Sequence, residues 1–189
     1  VSEVVGRARK AGRVLFDLTE TNPTAVGLTY PDGFEAALGA SQARSYEPSA
    51  LGTLAARAAV AESYPATAGV TPDRVMLTAS TSEAYSFLFK LLCDAGDEVL
   101  VPRPSYPLFN LLTRLDGVQP VAYRLDPAGG WCLDRHSVER AVTSRTRAIL
   151  VVSPNNPTGS VLRQSDRDWL VACALRHGLA LVSDEVFAD

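Results

Sequence analysis

The sequence predicts an α/β fold, a mostly parallel β-sheet carrying helices on both faces. Apolar runs of strand length alternate with segments of helical period, the signature of βαβ units. A chain of 189 residues with 47 % hydrophobic content can bury a substantial core. No internal repeat, low-complexity tract or long linker interrupts the pattern. The first 45 residues differ, being punctuated by Pro and Gly without clear alternation, and are expected to form an N-terminal arm with a segment of a small domain. Residues 46–189 are then a partial large domain. Within it, 50–64 is an Ala-rich helix with Leu51, Leu54, Ala58 and Ala61 on one stripe. Strands are expected at 74–78, 98–101, 119–124, 148–152 and 179–183. Helices are expected at 82–93, 106–115, 135–142 and 164–177, the last closed by Gly178 as a C-cap.

Composition narrows the function. A net charge of −3 with interspersed signs provides no basic face for nucleic acid. No apolar run approaches the roughly 18 residues that span a bilayer, so no membrane association is expected. Cys93, Cys132 and Cys173 are odd in number, far apart and in no C-x-x-C arrangement, which argues against disulfides or a zinc site and fits a reducing cytoplasm. His136 and His177 have no ligand-type partners nearby in sequence, so no metal is expected. The N-terminus lacks a signal-peptide core and an initiator Met, so a trimmed start is expected. Neither G-x-G-x-x-G nor G-x-x-x-x-G-K-[ST] occurs, which disfavours a nucleotide site of those kinds.

The most informative stretch is Ser153-Pro154-Asn155-Asn156-Pro157-Thr158-Gly159, followed one βα unit later by Ser183-Asp184-Glu185-Val186-Phe187. Together they meet the physical requirements of a pyridoxal-phosphate (PLP) pocket, in which the cofactor is the electron sink and the protein supplies position and electrostatics. A dianionic phosphate needs amides and hydroxyls at a helix start. Ser80, Thr81 and Ser82 supply three hydroxyls there, and Ser80 with Glu83 also reads as a capping box, which is compatible. The pyridine nitrogen keeps its proton beside a carboxylate, and Asp184 ends a strand, where ligands of open α/β sheets gather. The phenolic oxygen wants a donor such as the amide of Asn156. The flat ring wants a stacking partner, and Tyr106 lies in a Pro-rich turn after another strand. Asn156 and Asp184 are expected to emerge two strands apart into a single crevice.

With these motifs the sequence resembles the class I and II aminotransferases, PLP fold type I, from 18–23 through Tyr46-Glu47-Pro48 to the Asp184 motif. The resemblance implies the fold type I large domain, incomplete here, with pyridoxal 5'-phosphate as cofactor and an amino acid and a 2-oxo acid as substrates. It implies that Ser80, Thr81 and Ser82 form the phosphate cup, Tyr106 stacks on the ring, Asn156 serves the phenolic oxygen and Asp184 the ring nitrogen. Tyr46 corresponds to a tyrosine that reaches the neighbouring subunit's phosphate in a homodimer. Thr21 and Asn22 fall where a loop approaches substrate. Phe187 stands where the family usually has tyrosine, so the phenolic oxygen lacks a second donor.

The resemblance places the Schiff-base lysine and the carboxylate-binding arginine beyond the Asp184 motif. Lys10 and Lys90, the two lysines present, are not expected to form an imine. The chain is therefore expected to be the N-terminal half of a transaminase and inactive alone. Other fold type I chemistries share this front half: a carbon–sulfur β-lyase, a synthase closing a cyclopropane ring, a decarboxylase. So does the effector domain of an aminotransferase-like transcription regulator.

Overall fold

The structure is a computed structural model that describes residues 2–16, 22–40 and 44–188. The chain divides into two compact units, Val1–Thr53 and Leu54–Asp189.

In the first unit the sequence pattern shows no helix, yet its described residues include α1 (Ser2–Lys10) and α2 (Phe34–Leu38). Neither buries a residue, and at nine and five residues they are too short for a helical period to stand out in the sequence. α1 is signalled only by charge, with Glu3 in its first turn and Arg7, Arg9 and Lys10 in its last, complementing the helix dipole.

The second unit contains α3 (Leu54–Ser63), α4 (Thr81–Leu92), β1 (Glu98–Arg103), α5 (Phe109–Leu115), β2 (Gln119–Asp126), β3 (Cys132–Leu133), α6 (Arg135–Ala141), β4 (Thr146–Val152), α7 (Gln164–His177) and β5 (Ala180–Asp184). The sheet order is β3-β2-β1-β4-β5. β2, β1, β4 and β5 run parallel, and only the two-residue β3 is antiparallel, against β2.

Side chains alternate across the sheet as the pleat demands. Val99, Val101, Ala148, Leu150 and Val152 meet Tyr85, Phe89 and Phe109 of α4 and α5 on one face. Leu100, Ile149 and Val151 meet Val138, Leu170 and Cys173 of α6 and α7 on the other. Removing a side chain such as Ile149 or Leu150 from water contributes about 1.5–3 kcal/mol. At the N-terminal ends of β1 and β4 the sheet is pinned by charge: Asp97 pairs with Arg147 at 2.9 Å and Glu98 with Arg145 at 2.7 Å.

Several expectations change. Residues 75–78 follow a 3₁₀ turn and gain no ladder partner among the described residues, although Val75 is buried. Local propensity makes a segment extended, but only a neighbour's hydrogen bonds make it a strand. Helix α5 begins at Phe109 rather than at Tyr106, because Pro107 disfavours helical backbone at the residue before it. Helix α3 buries no residue, so its expected stripe is not a core face. His177 does have a ligand-type neighbour, Cys173 one helical turn before it on α7, and Glu139, Cys173 and His177 bring ligand-type atoms within 4.8 Å of one another. Glu139 is already engaged there by Arg176 at 2.9 Å and His177 at 3.3 Å. No described helix is long and apolar enough to cross a membrane.

Candidate active site

Four chain segments reach the C-terminal edge of the sheet and meet in one cleft of about 170 Å³, lined by Thr81, Tyr85, Tyr106, Val152, Asn156, Asp184, Val186 and Phe187. β4 and β5 are neighbours, not two strands apart, and their register sets Asp184 opposite Val152. The amide of Ser153 donates to the carbonyl of Asp184 at 3.0 Å, so the loop after β4 begins beside the end of β5. Asn156 and Asp184 consequently share a wall.

The 155–160 loop is closed by its own polar groups. The amide of Asn155 donates to the carbonyl of Ser160 at 2.9 Å, and that of Gly159 donates back to Asn155 at 2.7 Å. Gly159 holds φ +68, a conformation an L side chain rarely adopts. Asn155 is buried and faces inward, which leaves its neighbour Asn156 for the cleft.

Helix α4 opens on a variant of the capping box, in which Glu83 reaches the amide just before the N-cap Ser80 rather than that of Ser80 itself. Ser80 Oγ accepts from the amide of Glu83 at 3.2 Å, and Glu83 Oε2 accepts from the amide of Ala79 at 2.6 Å. The amides of Thr81 and Ser82 have no acceptor within the helix, as for every helix start, and remain available to an anion. Of the three expected hydroxyl residues, Thr81 lines the cleft; Ser80 is the cap, and Ser82 is half-buried beside it.

Tyr85 is the residue that sequence reasoning missed. It lies one turn after Thr81 on the same helical face, and its hydroxyl donates to Asp184 Oδ2. The other oxygen, Oδ1, accepts from the amide of Val186 at 3.1 Å. Burial, and then the Asp184 carboxylate, push the Tyr85 phenol far above its ordinary range, so it is a neutral donor. Its position among the apolar residues of α4 signals a core tyrosine and nothing more. The Tyr85 ring meets Phe109 edge-on at 5.1 Å, and Phe109 meets Tyr106 edge-on at 5.7 Å.

Phe187 lines the cleft, 56 % exposed. In the first unit, Asn22 caps the 3₁₀ turn Pro23–Val26, with Oδ1 accepting from the amide of Thr24 at 3.0 Å, and Tyr46 is 91 % exposed. Thr21 lies outside the described residues. Lys90 Nζ sits 2.6 Å from Asp116 and does not line the cleft; Lys10 belongs to α1.

The donor set suits one flat, anionic heterocycle. Asp184, its carboxylate held by two donors, lines the cleft together with the side-chain amide of Asn156, the rings of Tyr85, Tyr106 and Phe187, and Thr81 at the start of α4.

Comparisons with known proteins agree in kind. The sequence model of the family described as "Aminotransferase class I and II" matches residues 12–189. The alanine aminotransferase of Mycobacterium tuberculosis strain H37Rv is 34 % identical, over 99 % of this chain and 44 % of its own length. Glutamate-pyruvate aminotransferase AlaA of Escherichia coli K12 is 30 % identical, over 96 % of this chain and 45 % of its own. Among solved structures, the alanine aminotransferase of Pyrococcus furiosus superimposes with a TM-score of 0.84 at 30 % identity, covering 99 % of this chain and 49 % of that one. A double mutant of Thermus thermophilus aspartate aminotransferase gives 0.82 at 34 %, covering 97 % and 48 %. The chain thus spans about half the length of the relatives it matches.

Proposed function

The chain belongs to the class I and II aminotransferase family, and from that premise we propose that it supplies one half of a PLP-dependent transaminase exchanging an amino group between an amino acid and a 2-oxo acid. The observation that carries this is the meeting of Thr81, Tyr106, Asn156 and Asp184 in one cleft at the C-terminal ends of the strands. Pyridoxal phosphate, when bound, supplies the electron sink for the bond broken at the substrate's Cα.

The chain's own residues do the rest. Asp184 holds a proton on the ring nitrogen through charge pairing. Asn156 donates its amide to the phenolic oxygen, where Phe187 has no hydroxyl to add. Tyr106 covers the ring and keeps water from that face. The start of α4, with Ser80, Thr81 and Ser82, receives the phosphate. Tyr46 serves the neighbouring subunit's phosphate in a cytoplasmic homodimer, and Thr21 and Asn22 approach the substrate. Residues 1–45 belong to the arm and small domain, and 46–189 to the large domain. The Schiff-base lysine is neither Lys90, committed to Asp116, nor Lys10, and so the 189 residues alone release no 2-oxo acid.

The test loads the intact protein with pyridoxal phosphate and offers paired amino and 2-oxo acids. Cofactor uptake with amino transfer is expected, and Asp184→Ala should lower kcat/KM by about a hundredfold or more. Failure to take up the cofactor refutes the reading; uptake with only β-elimination or decarboxylation replaces it by a sister chemistry.

A further inference from the structure

Asp184 has a partner that the reaction as described does not use. Its strand end exposes it to solvent on one side, and a carboxylate so placed can rotate freely unless something holds it. Two donors do. The Val186 amide is local, two residues along the same turn. The Tyr85 hydroxyl comes from α4, 99 positions away in sequence.

We propose that Tyr85 is a positioning residue that fixes the Asp184 carboxylate toward the cleft, and thereby sets how firmly the ring nitrogen of a bound pyridoxal phosphate keeps its proton. This rests on the functional reading given above. Tyr85 is 5 % exposed, with its ring stacked on Phe89 at 5.9 Å and meeting Phe109 edge-on at 5.1 Å, so the phenol has little freedom to swing away. Its burial keeps the hydroxyl protonated, and a neutral donor steadies a carboxylate without neutralising it. Tyr106 is braced through the same Phe109 ring. The cofactor's stacking residue and its ring-nitrogen partner are therefore held by one aromatic cluster on α4 and α5.

Tyr85→Phe keeps the ring and removes only the hydroxyl. In the intact protein the dissociation constant for pyridoxal phosphate should rise about tenfold, the scale of one hydrogen bond to a charged group. With ¹⁵N-labelled cofactor, the ring-nitrogen resonance should report loss of its proton at lower pH in Tyr85→Phe than in wild type. A crystal structure of the unloaded variant should show Asp184 turned out of the cleft. Tyr85→Leu, which also removes the ring, separates packing from positioning: it should lower Tm further than Tyr85→Phe while shifting the ¹⁵N midpoint in the same direction. A ¹⁵N midpoint unchanged or raised in Tyr85→Phe, or an unloaded variant with Asp184 still facing the cleft, overturns the proposal. A wild-type protein that leaves the cofactor in solution fails the functional reading and this inference with it; a wild type that binds while the variant behaves identically fails the inference alone.

Discussion

Asn155 Nδ2 donates to Thr158 Oγ1 at 2.8 Å, and this bond closes the loop that presents Asn156 to the cleft. The same nitrogen reaches the carbonyl of Pro104 at 3.3 Å, tying the loop after β4 to the loop that carries Tyr106. One buried amide therefore sets the spacing of two cleft residues. Asn155→Ala should destabilise the fold by about 1–3 kcal/mol, as expected for loss of hydrogen bonds at a buried site. Urea unfolding with an unchanged m-value checks this. Cofactor affinity should fall as well, although Asn155 does not line the cleft.

Glu83 brings a negative charge to the helix start proposed above to receive a phosphate dianion, because its carboxylate accepts from the amide of Ala79. Glutamine serves equally well as the reciprocal member of a capping box. Glu83→Gln should therefore keep α4 intact and tighten pyridoxal-phosphate binding severalfold at low salt, with a smaller gain at high salt where the repulsion is screened. Equilibrium dialysis at two ionic strengths decides it; weaker binding in the variant would show that the carboxylate helps the site.

Phe187 lines the cleft with a ring and no hydroxyl. Phe187→Tyr should add a donor to the cofactor's phenolic oxygen and stabilise its charged form, so the pH midpoint of the bound cofactor's visible absorbance should fall. A midpoint that stays or rises contradicts the placement of Phe187 beside that oxygen.

Glu98 accepts from the Thr143 hydroxyl and from Arg145, and these hold its carboxyl below the ordinary range, the hydrogen bond from Thr143 contributing most. With a folded value below the unfolded one, the unfolded state binds the proton more readily, so the stabilisation is present above the unfolded value of about 4.3. It is lost as pH falls through the depressed folded value. Chemical unfolding at pH 7 and pH 3 should show wild type more stable than Glu98→Gln at the higher pH, with the gap closing at the lower.

The legible parts of the molecule were local. Gly178 ends α7 in the left-handed conformation at φ 66, and Ser80 with Glu83 opens α4, as the residue types require. β4 reads as a buried strand because nearly every residue in it is apolar and buried on both faces. The helices of the first unit were illegible because, at nine and five residues, they are shorter than the window in which a helical period shows, and residues 75–78 resemble a strand in every local respect except for having a neighbour.

The sequence by itself determined that Asn156 follows one strand and Asp184 ends the next, because side-chain period and turn chemistry act over only a few residues. Tertiary structure decided that those strands are adjacent, that Thr81 among three hydroxyl residues lines the cleft, and that Tyr85 reaches Asp184. Strand order and helix placement follow from how apolar faces of distant segments bury one another, and no short window of residues contains both partners of such a contact.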